Sequence, residues 1–215
     1  MECDGLRSKT VSCYDGISSL LADGGDRMTS QEIQILADRW AEPTGVPFLE
    51  EIHAKIALEG LEPTRYYRFL YHLSKAMQPQ VIVELGTYAG HSSAHLALGC
   101  PAARVYTVDP TPVQVELDKV LKMCPNLKWI AERSEHVGRE FKRTIDLLFM
   151  DSSHSAEQCR LEYQLFRPKM TPGGIIVVDD LWYGTVSEFW REVPEEKLVI
   201  DVVHPNSGFG IILLK

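Results

Sequence analysis

The sequence of 215 residues lacks several features that mark specialised classes of protein. Its five cysteines form no C-x-x-C pair and are odd in number, which is typical of a reducing compartment where cysteines serve as small hydrophobic residues. No apolar run approaches the length of a membrane span. The N-terminus has neither a basic start nor an apolar stretch, so we expect a cytoplasmic protein without a secretory signal.

An excess of basic residues is also missing. The formal net charge is −8, whereas a protein that binds nucleic acid through its phosphates needs a basic face. We therefore expect a small-molecule partner and neither nucleic acid nor membrane. A hydrophobic fraction of 45% and a charged fraction of 24% are ordinary for a globular protein, and the length suits one core with a short accessory segment.

The first third of the chain has a helical pattern. About 25 residues rich in Ser, Gly and Asp are interpreted as a loose arm, a lid or a disordered segment. Thr29-Ser-Gln-Glu32 then matches a capping box, which predicts the start of a helix. Two more helices are predicted, one over Phe48–Glu59 and one from near Pro63. We assign residues 1–78 to an arm and helices that could cover the active site, bind the acceptor or mediate a homodimer.

From Gln80 onward, short β-rich runs alternate with helical stretches. The predicted strands are 81–85, 105–108, 128–131, 145–150, 175–178, 198–203 and 209–214. Helices fit between the first six, two of them behind capping boxes at Ser155 and Thr185, so parallel strands with right-handed crossovers are expected. Only residues 204–208 separate the last two, which must form an antiparallel hairpin. Residues 79–215 are thus predicted to form a Rossmann-like, seven-stranded, doubly wound α/β sheet with ligands at its carboxyl edge.

A glycine-containing loop follows the first strand, Glu84-Leu-Gly-Thr-Tyr-Ala-Gly90, and opens a helix at His91-Ser92. Gly86 lets the backbone approach a ligand, and the helix N-terminus offers N–H groups to an anion. The dinucleotide fingerprint would place a glycine at Tyr88, which argues against NAD or FAD. S-adenosylmethionine fits better, because its ammonium suits Glu84 and its carboxylate suits backbone N–H groups.

This E-L-G-x-x-x-G stretch resembles motif I of the class I S-adenosylmethionine-dependent methyltransferases, and the resemblance extends from Gln80 to Lys215. It implies that Asp109, after the second strand, accepts hydrogen bonds from the ribose, and that the loop around Arg133 and Ser134 contacts adenine. The cofactor-binding residues that it implies are Glu84, Gly86, Tyr88, Gly90, Ser92, Asp109, Arg133, Ser134 and Asp151.

Acidic residues follow two further strands. The fourth strand ends in Met150-Asp151-Ser-Ser-His154, and the fifth ends in Val178-Asp179-Asp180. Carboxylates brought together at one sheet edge repel one another and have raised pKa values unless a cation neutralises them. Mg2+ or another divalent cation is the natural occupant.

The same pattern is similar to the metal-dependent O-methyltransferases. The catechol and caffeoyl-CoA type has Asp-Asn after strand five, whereas this sequence has Asp180 in the second place, closer to cephalosporin hydroxylase-like proteins and macrolide-sugar O-methyltransferases. That resemblance implies Asp151, Asp179 and Asp180 as metal ligands, with Asp151 and His154 catalytic and His154 the general base. A metal lowers the pKa of the acceptor hydroxyl, and an imidazole takes its proton.

Structural explanations compete with these roles. Asp151 could only shape a turn, His154 could only precede a helix cap, and Asp179 with Asp180 could form a solvated turn. Trp182 and Tyr183 could be an acceptor wall or packing aromatics. Three other histidines have no spacing that suggests a second site and are interpreted as surface or helix-packing residues: His91, His95 and His136.

Four functions remain open at this point. The main hypothesis is metal-assisted O-methylation of a hydroxyl on a small molecule. Metal-independent O- or N-methylation is the first alternative, and a non-catalytic protein that binds the cofactor is the second. A nicotinamide-dependent oxidoreductase is disfavoured by Tyr88.

Overall fold

The computed structural model describes residues 28–58 and 65–215, so the predicted N-terminal arm and Pro63 lie outside the described residues. Three helices precede the sheet: α1 (Ser30–Asp38), α2 (Pro47–Leu58) and α3 (Arg65–Met77). The capping box of α1 is confirmed, because the Thr29 side chain accepts the Glu32 N–H while the Glu32 carboxylate accepts the Thr29 N–H. Within the described ranges, no helix combines the length and apolar character needed to cross a membrane.

The seven predicted strands form one sheet with the order β3-β2-β1-β4-β5-β7-β6. Strands β1 to β5 run parallel, and β7 lies antiparallel between β5 and β6. The strands are β1 (Val81–Leu85), β2 (Arg104–Val108), β3 (Leu127–Ile130), β4 (Ile145–Met150), β5 (Met170–Asp179), β6 (Glu196–Val199) and β7 (Phe209–Leu213). The helices between them are α4 (His91–Gly99), α5 (Gln114–Met123), α6 (Ser134–Glu140), α7 (Ala156–Phe166) and α8 (Val186–Glu192). The doubly wound sheet with its C-terminal antiparallel strands is confirmed.

The sixth strand lies earlier than its apolar run predicts. Strand β6 spans Glu196–Val199 instead of 198–203, and its ladder ends where the Ile200 N–H donates to the Phe209 carbonyl. Ile200 and Val203 are apolar because they are buried in the core, each only 1% exposed, and not because they extend the strand. The longer connection that results carries His204 to the carboxyl edge of β5.

One predicted helix cap has a different role. Thr185 makes no side-chain cap bond to α8, so the predicted capping box there is wrong. Its hydroxyl instead accepts the N–H of Ala156 at 2.9 Å, in the first turn of α7. Ser155 does cap α7, by accepting the Gln158 N–H. Thr185 therefore connects the start of α8 to the start of α7. These two helices follow β4 and β5, the strands that lead to Asp151 and to Asp179-Asp180.

The sheet is buried on both faces, which explains its nearly continuous apolar strands. Side chains of α1, α2 and α3 share one core cluster with one face of the sheet, including Phe69, Phe149 and Phe209. The other face packs against α6, α7 and α8, around Phe166 and Phe189. The N-terminal helices are therefore built onto the sheet by hydrophobic burial.

Two histidines inside this packing confirm the prediction made for His95. His95 of α4 is fully buried, and its Nε2 lies 3.0 Å from Nε2 of His53 on α2. Burial lowers the pKa of His95 to about 3 and that of His53 to about 4, so both rings are neutral at physiological pH. His136 is confirmed as a surface residue, half exposed and 3.0 Å from Glu132.

The strand order reverses between β1 and β4, and the site depends on this switch point. From β1 the chain moves outward through β2 and β3, then returns to place β4 on the other side of β1. The connections that follow two such strands run in opposite directions, and this leaves a crevice for a ligand at the carboxyl ends of the strands. The Asp151 N–H donates to the Leu85 carbonyl at 2.8 Å, which sets the ends of β4 and β1 side by side.

Candidate active site

The loop after β1 requires glycine at one position for a specific steric reason. Gly86 has φ +97°, and a Cβ atom there would lie 2.0 Å from the carbonyl oxygen of Asp151. Tyr88 also has a positive φ of 46° although it is not glycine, and its carbonyl accepts the Val113 N–H at 2.8 Å. Gly90 lies 3.1 Å, at its Cβ position, from the Leu117 side chain. The close approach predicted at Gly86 and the close packing predicted at Gly90 are both present.

Glu84 is a buried carboxylate below this loop. Its Oε2 accepts hydrogen bonds from the hydroxyls of Ser93 and of Thr107, the latter at 2.6 Å. Its Oε1 is buried and accepts no hydrogen bond from residues 28–58 or 65–215. Burial raises the pKa of Glu84 to about 7, against hydrogen bonds that lower it. An unpaired buried acceptor is costly, so this atom fits the ammonium group that the sequence assigns to Glu84.

Asp109 has a role that sequence reasoning missed. Its Oδ2 accepts the N–H groups of Thr87 and Tyr88, at 3.1 and 2.9 Å, and its Oδ1 accepts the Thr111 N–H at 2.8 Å. The Asp109 carboxylate, just after β2, therefore holds the loop after β1, in which Gly86 and Tyr88 have positive φ angles. The ribose contact predicted for Asp109 would be made by the same carboxylate.

Two cavities meet over Gly86. The first has a volume of about 430 Å³ and is lined by Asp109 and by Arg133, Ser134 and Gln158. The second has a volume of about 350 Å³; the predicted site residues among its lining are Tyr88, Ser92, Asp151 and His154. Gly86, Asp109 and Ser152 line both cavities. One elongated ligand could therefore pass over Gly86 with a different end in each cavity.

The surroundings of the predicted site residues differ from one residue to the next. Arg133 is largely exposed and pairs with Glu135 at 2.5 Å, whereas Ser134 is buried and donates to Glu162. Glu84 is fully buried and Gly90 packs against Leu117, and neither is among the residues that line the two cavities. His91, interpreted from sequence as a surface or packing residue, lines the second cavity. Its position at the start of α4, beside the loop, is the signal that could have indicated this.

The acidic edge forms two overlapping groups instead of one. Asp151, His154 and Asp180 offer ligand atoms that all lie within 4.8 Å of one another, and His154 Nε2 lies 2.7 Å from Asp180 Oδ2. Asp179 is buried and faces His204, with 2.8 Å between its Oδ1 and His204 Nδ1. Asp179, Asp180 and His204 form the second group. Sequence reasoning missed His204, because residues 204–208 were read only as a hairpin turn.

Burial and mutual repulsion govern the charge of this edge. Burial raises the pKa of Asp151 well above its usual value, and the carboxylates of Asp179 and Asp180 raise it further. Burial also raises the pKa of Asp179, although the hydrogen bond from His204 opposes that rise. Asp180 has a positive φ of 54°, an uncommon backbone conformation of the kind that clusters at functional sites. A cation bound here would relieve the repulsion.

Two aromatic residues stand beside His154. The Tyr183 ring meets the imidazole of His154 edge to face, with 4.6 Å between ring centroids. Trp182 lies against Gly208, where an added Cβ would be 2.4 Å from the indole nitrogen. Both aromatic side chains are about half exposed. Their predicted use as an acceptor wall therefore has the required position and exposure and stays a prediction.

Replacing Gly86 with alanine should destroy the site. We expect at least about a hundredfold loss of affinity for S-adenosylhomocysteine, because the new methyl group must displace the Asp151 backbone. Gly45→Ala is the matched control, since Gly45 also has a positive φ, +72°, but open space around its Cβ position. Calorimetric titration of both variants checks this, and equal affinities would contradict the steric argument.

Ligand affinity should depend on pH through Glu84. Its pKa of about 7 means that the carboxylate must lose a proton to meet the ligand ammonium, so affinity should rise with pH. The limit is about tenfold per pH unit below pH 7, with a plateau above it. In Glu84→Gln the affinity should be lower and the slope between pH 5.5 and 7.5 reduced. A variant with the wild-type slope would exclude Glu84 as the titrating group.

Known proteins share this architecture. Residues 83–181 match a protein family whose model is described as a methyltransferase domain. A Staphylococcus aureus structure assigned as a caffeoyl-CoA O-methyltransferase has 14% identity and a TM-score of 0.65, over 86% of this chain and 100% of that one. The O-methyltransferase TomG from Streptomyces achromogenes, solved with S-adenosylmethionine, has 16% identity and a TM-score of 0.62, over 87% and 100%.

A third structure matches along the whole chain. The methyltransferase PaMTH1 from Podospora anserina, bound to S-adenosylhomocysteine, has 15% identity and a TM-score of 0.59, over 100% of this chain and 99% of that one. At such identities the structures establish the fold, while the matched family model spans β1 to β5 and the site loops between them. Residues 83–181 are therefore similar to a methyltransferase domain, and the chain shares the fold of the matched methyltransferase structures.

Proposed function

We propose that the protein transfers the methyl group of S-adenosylmethionine to a hydroxyl oxygen of a small molecule, assisted by a divalent cation and by His154 as general base. The observation that carries this proposal is the convergence of Asp151, His154 and Asp180 within 4.8 Å beside the second cavity. The names of the Staphylococcus aureus and Streptomyces achromogenes structures, both O-methyltransferases, support oxygen as the acceptor atom.

The two cavities orient the cofactor, whose sulfonium supplies an electrophilic methyl group. The reacting end belongs in the second cavity, where Asp151 and His154 line the wall. Arg133 and Ser134 would hold the adenosine end in the first cavity, and Asp109, which lines both cavities, would hold the ribose. Glu84 would hold the ammonium, and backbone N–H groups near Ser92 would bind the carboxylate.

The carboxylates fit a hard divalent cation such as Mg2+. Asp151 and Asp180 would hold it directly, with Asp179 as the third carboxylate, oriented by His204. Bound there, the cation would lower the pKa of the acceptor hydroxyl. His204 thereby has a positioning role, because its contact with Asp179 determines which way that buried carboxylate turns.

His154 can take the proton that the acceptor hydroxyl loses. Its Nε2 lies 2.7 Å from Asp180 Oδ2, so this nitrogen carries the proton that is shared with the carboxylate. Nδ1 is then the free acceptor in the neutral ring. The side chain is 45% exposed, which leaves it reachable by an acceptor molecule.

The N-terminal segment contributes to the acceptor side of the site. Tyr66 and Tyr67 of α3 line the second cavity together with Asp151 and His154. We propose that residues 1–78 help to bind the acceptor, together with Trp182 and Tyr183, while residues 79–215 bind the cofactor.

Metal-independent methylation of oxygen or nitrogen is the second candidate. It is favoured by one observation: both carboxylates after β5 have imidazole partners within the protein, Asp180 with His154 at 2.7 Å and Asp179 with His204 at 2.8 Å. In this version Asp180 orients His154 and no cation takes part.

A metal titration separates the two candidates. We expect MgCl2 titrated into protein saturated with S-adenosylhomocysteine to show one binding event. Asp151→Asn and Asp180→Asn should weaken it at least about tenfold, because each removes a charged ligand. Asp201→Asn, an exposed control in the β6–β7 connection, should leave it unchanged. No metal binding, or binding that ignores both site variants, would favour the metal-independent candidate.

Removal of the proposed base should affect turnover and spare cofactor binding. We expect His154→Ala to lower kcat by about 10² to 10⁴ while its affinity for S-adenosylhomocysteine stays near that of the wild type. Methyl transfer to catechol and to caffeoyl-CoA, followed by mass spectrometry, supplies the assay. His136→Ala is the control, since His136 lies on the surface at 3.0 Å from Glu132. Unchanged turnover in His154→Ala would refute the general base.

A further inference from the structure

A buried carboxylate that the proposed mechanism does not use underlies one wall of the first cavity. Glu162 of α7 is 1% exposed, and its Oε1 accepts three hydrogen bonds. The donors are the hydroxyls of Ser134 and Ser152, each at 2.5 Å, and the amide Nε2 of Gln158 at 3.0 Å. These donors come from α6, from the loop after β4 and from α7, and all three residues line the cavity.

The shared acceptor suits the ionised form of Glu162. Burial raises the pKa of Glu162, while the hydrogen bonds from Ser134, Ser152 and Gln158 lower it. Three donors converge on one oxygen of Glu162. This favours the carboxylate form, because an ionised carboxylate only accepts hydrogen bonds and has no proton to donate. One buried charge therefore organises three cavity side chains.

The carboxylate determines the direction of each of these hydrogen bonds. A serine hydroxyl has a single proton, and Ser134 and Ser152 each donate theirs to Glu162, which leaves lone pairs for a ligand. The Gln158 amide has two N–H protons: one goes to Glu162 and the other to Ser134 Oγ at 3.0 Å. Its carbonyl oxygen remains. The three side chains thus present acceptors alone to the cavity.

We propose that Glu162 is a positioning residue that gives this wall its acceptor character and thereby selects an amino-substituted purine over an oxo-substituted one. Adenine has an exocyclic amino group, which donates hydrogen bonds. Hypoxanthine has an oxygen at the same position, which would face lone pairs. The inference rests on the proposed placement of the cofactor, in which the purine lies in the first cavity because the sulfur must reach the second.

The selectivity can be measured with two ligands whose purines differ in this group and in the proton that hypoxanthine carries at N1. S-adenosylhomocysteine and its deaminated analogue S-inosylhomocysteine are titrated separately into the full-length protein, and the ratio of their Kd values is the readout. We expect the wild type to prefer the adenosyl ligand by about 10- to 100-fold, the effect of leaving one buried acceptor site unpaired.

Variants of α7 test whether Glu162 is responsible. Glu162→Met removes the shared acceptor, frees both serine hydroxyls to turn, and should reduce the ratio to within about threefold. Glu162→Gln retains an oxygen acceptor of the same shape and should preserve most of the selectivity. Glu157→Met makes the same change to an exposed glutamate on the same helix and should leave the ratio unchanged. General loosening of the site would weaken both ligands together, without changing their ratio.

Each remaining outcome bears on the proposal. A wild type that binds both ligands equally, or a Glu162→Met protein that keeps the full ratio, overturns the inference and leaves the cofactor site intact. No binding of S-adenosylhomocysteine to the wild type would overturn the cofactor placement, and the inference with it. If circular dichroism shows that Glu162→Met is unfolded, the double variant Ser134→Ala/Ser152→Ala removes the same hydroxyl acceptors and must lower the ratio.

Discussion

The site depends on the contact between the end of β4 and the loop after β1. The Asp151 N–H donates to the Leu85 carbonyl, and the Asp151 carbonyl oxygen occupies the space that a side chain at Gly86 would need. This contact brings the loop after β1 and the acidic residues after β4 and β5 together at the switch point of the sheet. Asp109 completes the arrangement from β2, since its carboxylate holds the Thr87 and Tyr88 N–H groups.

Buried carboxylates recur around this contact, and each has a distinct environment. Glu84 has one unpaired oxygen, Asp151 lies near other acids, Asp179 faces His204, and Glu162 collects three donors. Burial raises the pKa of all four, so ionising them works against folding as the pH rises above the ordinary carboxylate range. Their concentration at one edge is therefore better explained by ligand binding than by stability.

The fold could be predicted from sequence because its signals are local and periodic. Alternating strands and helices, the glycine loop and the short final connection were sufficient to predict seven strands along the chain and to place the last two antiparallel. The exceptions have a common cause in tertiary packing. Ile200 and Val203 are apolar because the core buries them, and Thr185 caps a neighbouring helix instead of its own.

The site was predictable only in part, because strand ends can be read from a sequence and side-chain partners cannot. The pattern placed Asp151, His154 and Asp180 at one edge, as the structure has them. It gave no indication that Asp179 faces His204, that Asp109 holds the loop, or that Glu162 lies beneath the first cavity. These contacts join residues 10 to 28 positions apart, and no short motif encodes them.

A crystal structure of the protein with S-adenosylhomocysteine bound would test this account most directly. The account predicts the purine in the first cavity against Ser134 and Gln158, the amino group of the ligand at Glu84 Oε1, and the sulfur over Gly86 facing Asp151 and His154. A ligand bound in the opposite direction, with its purine beside His154, or one bound away from the Glu84–Gly90 loop, would contradict it.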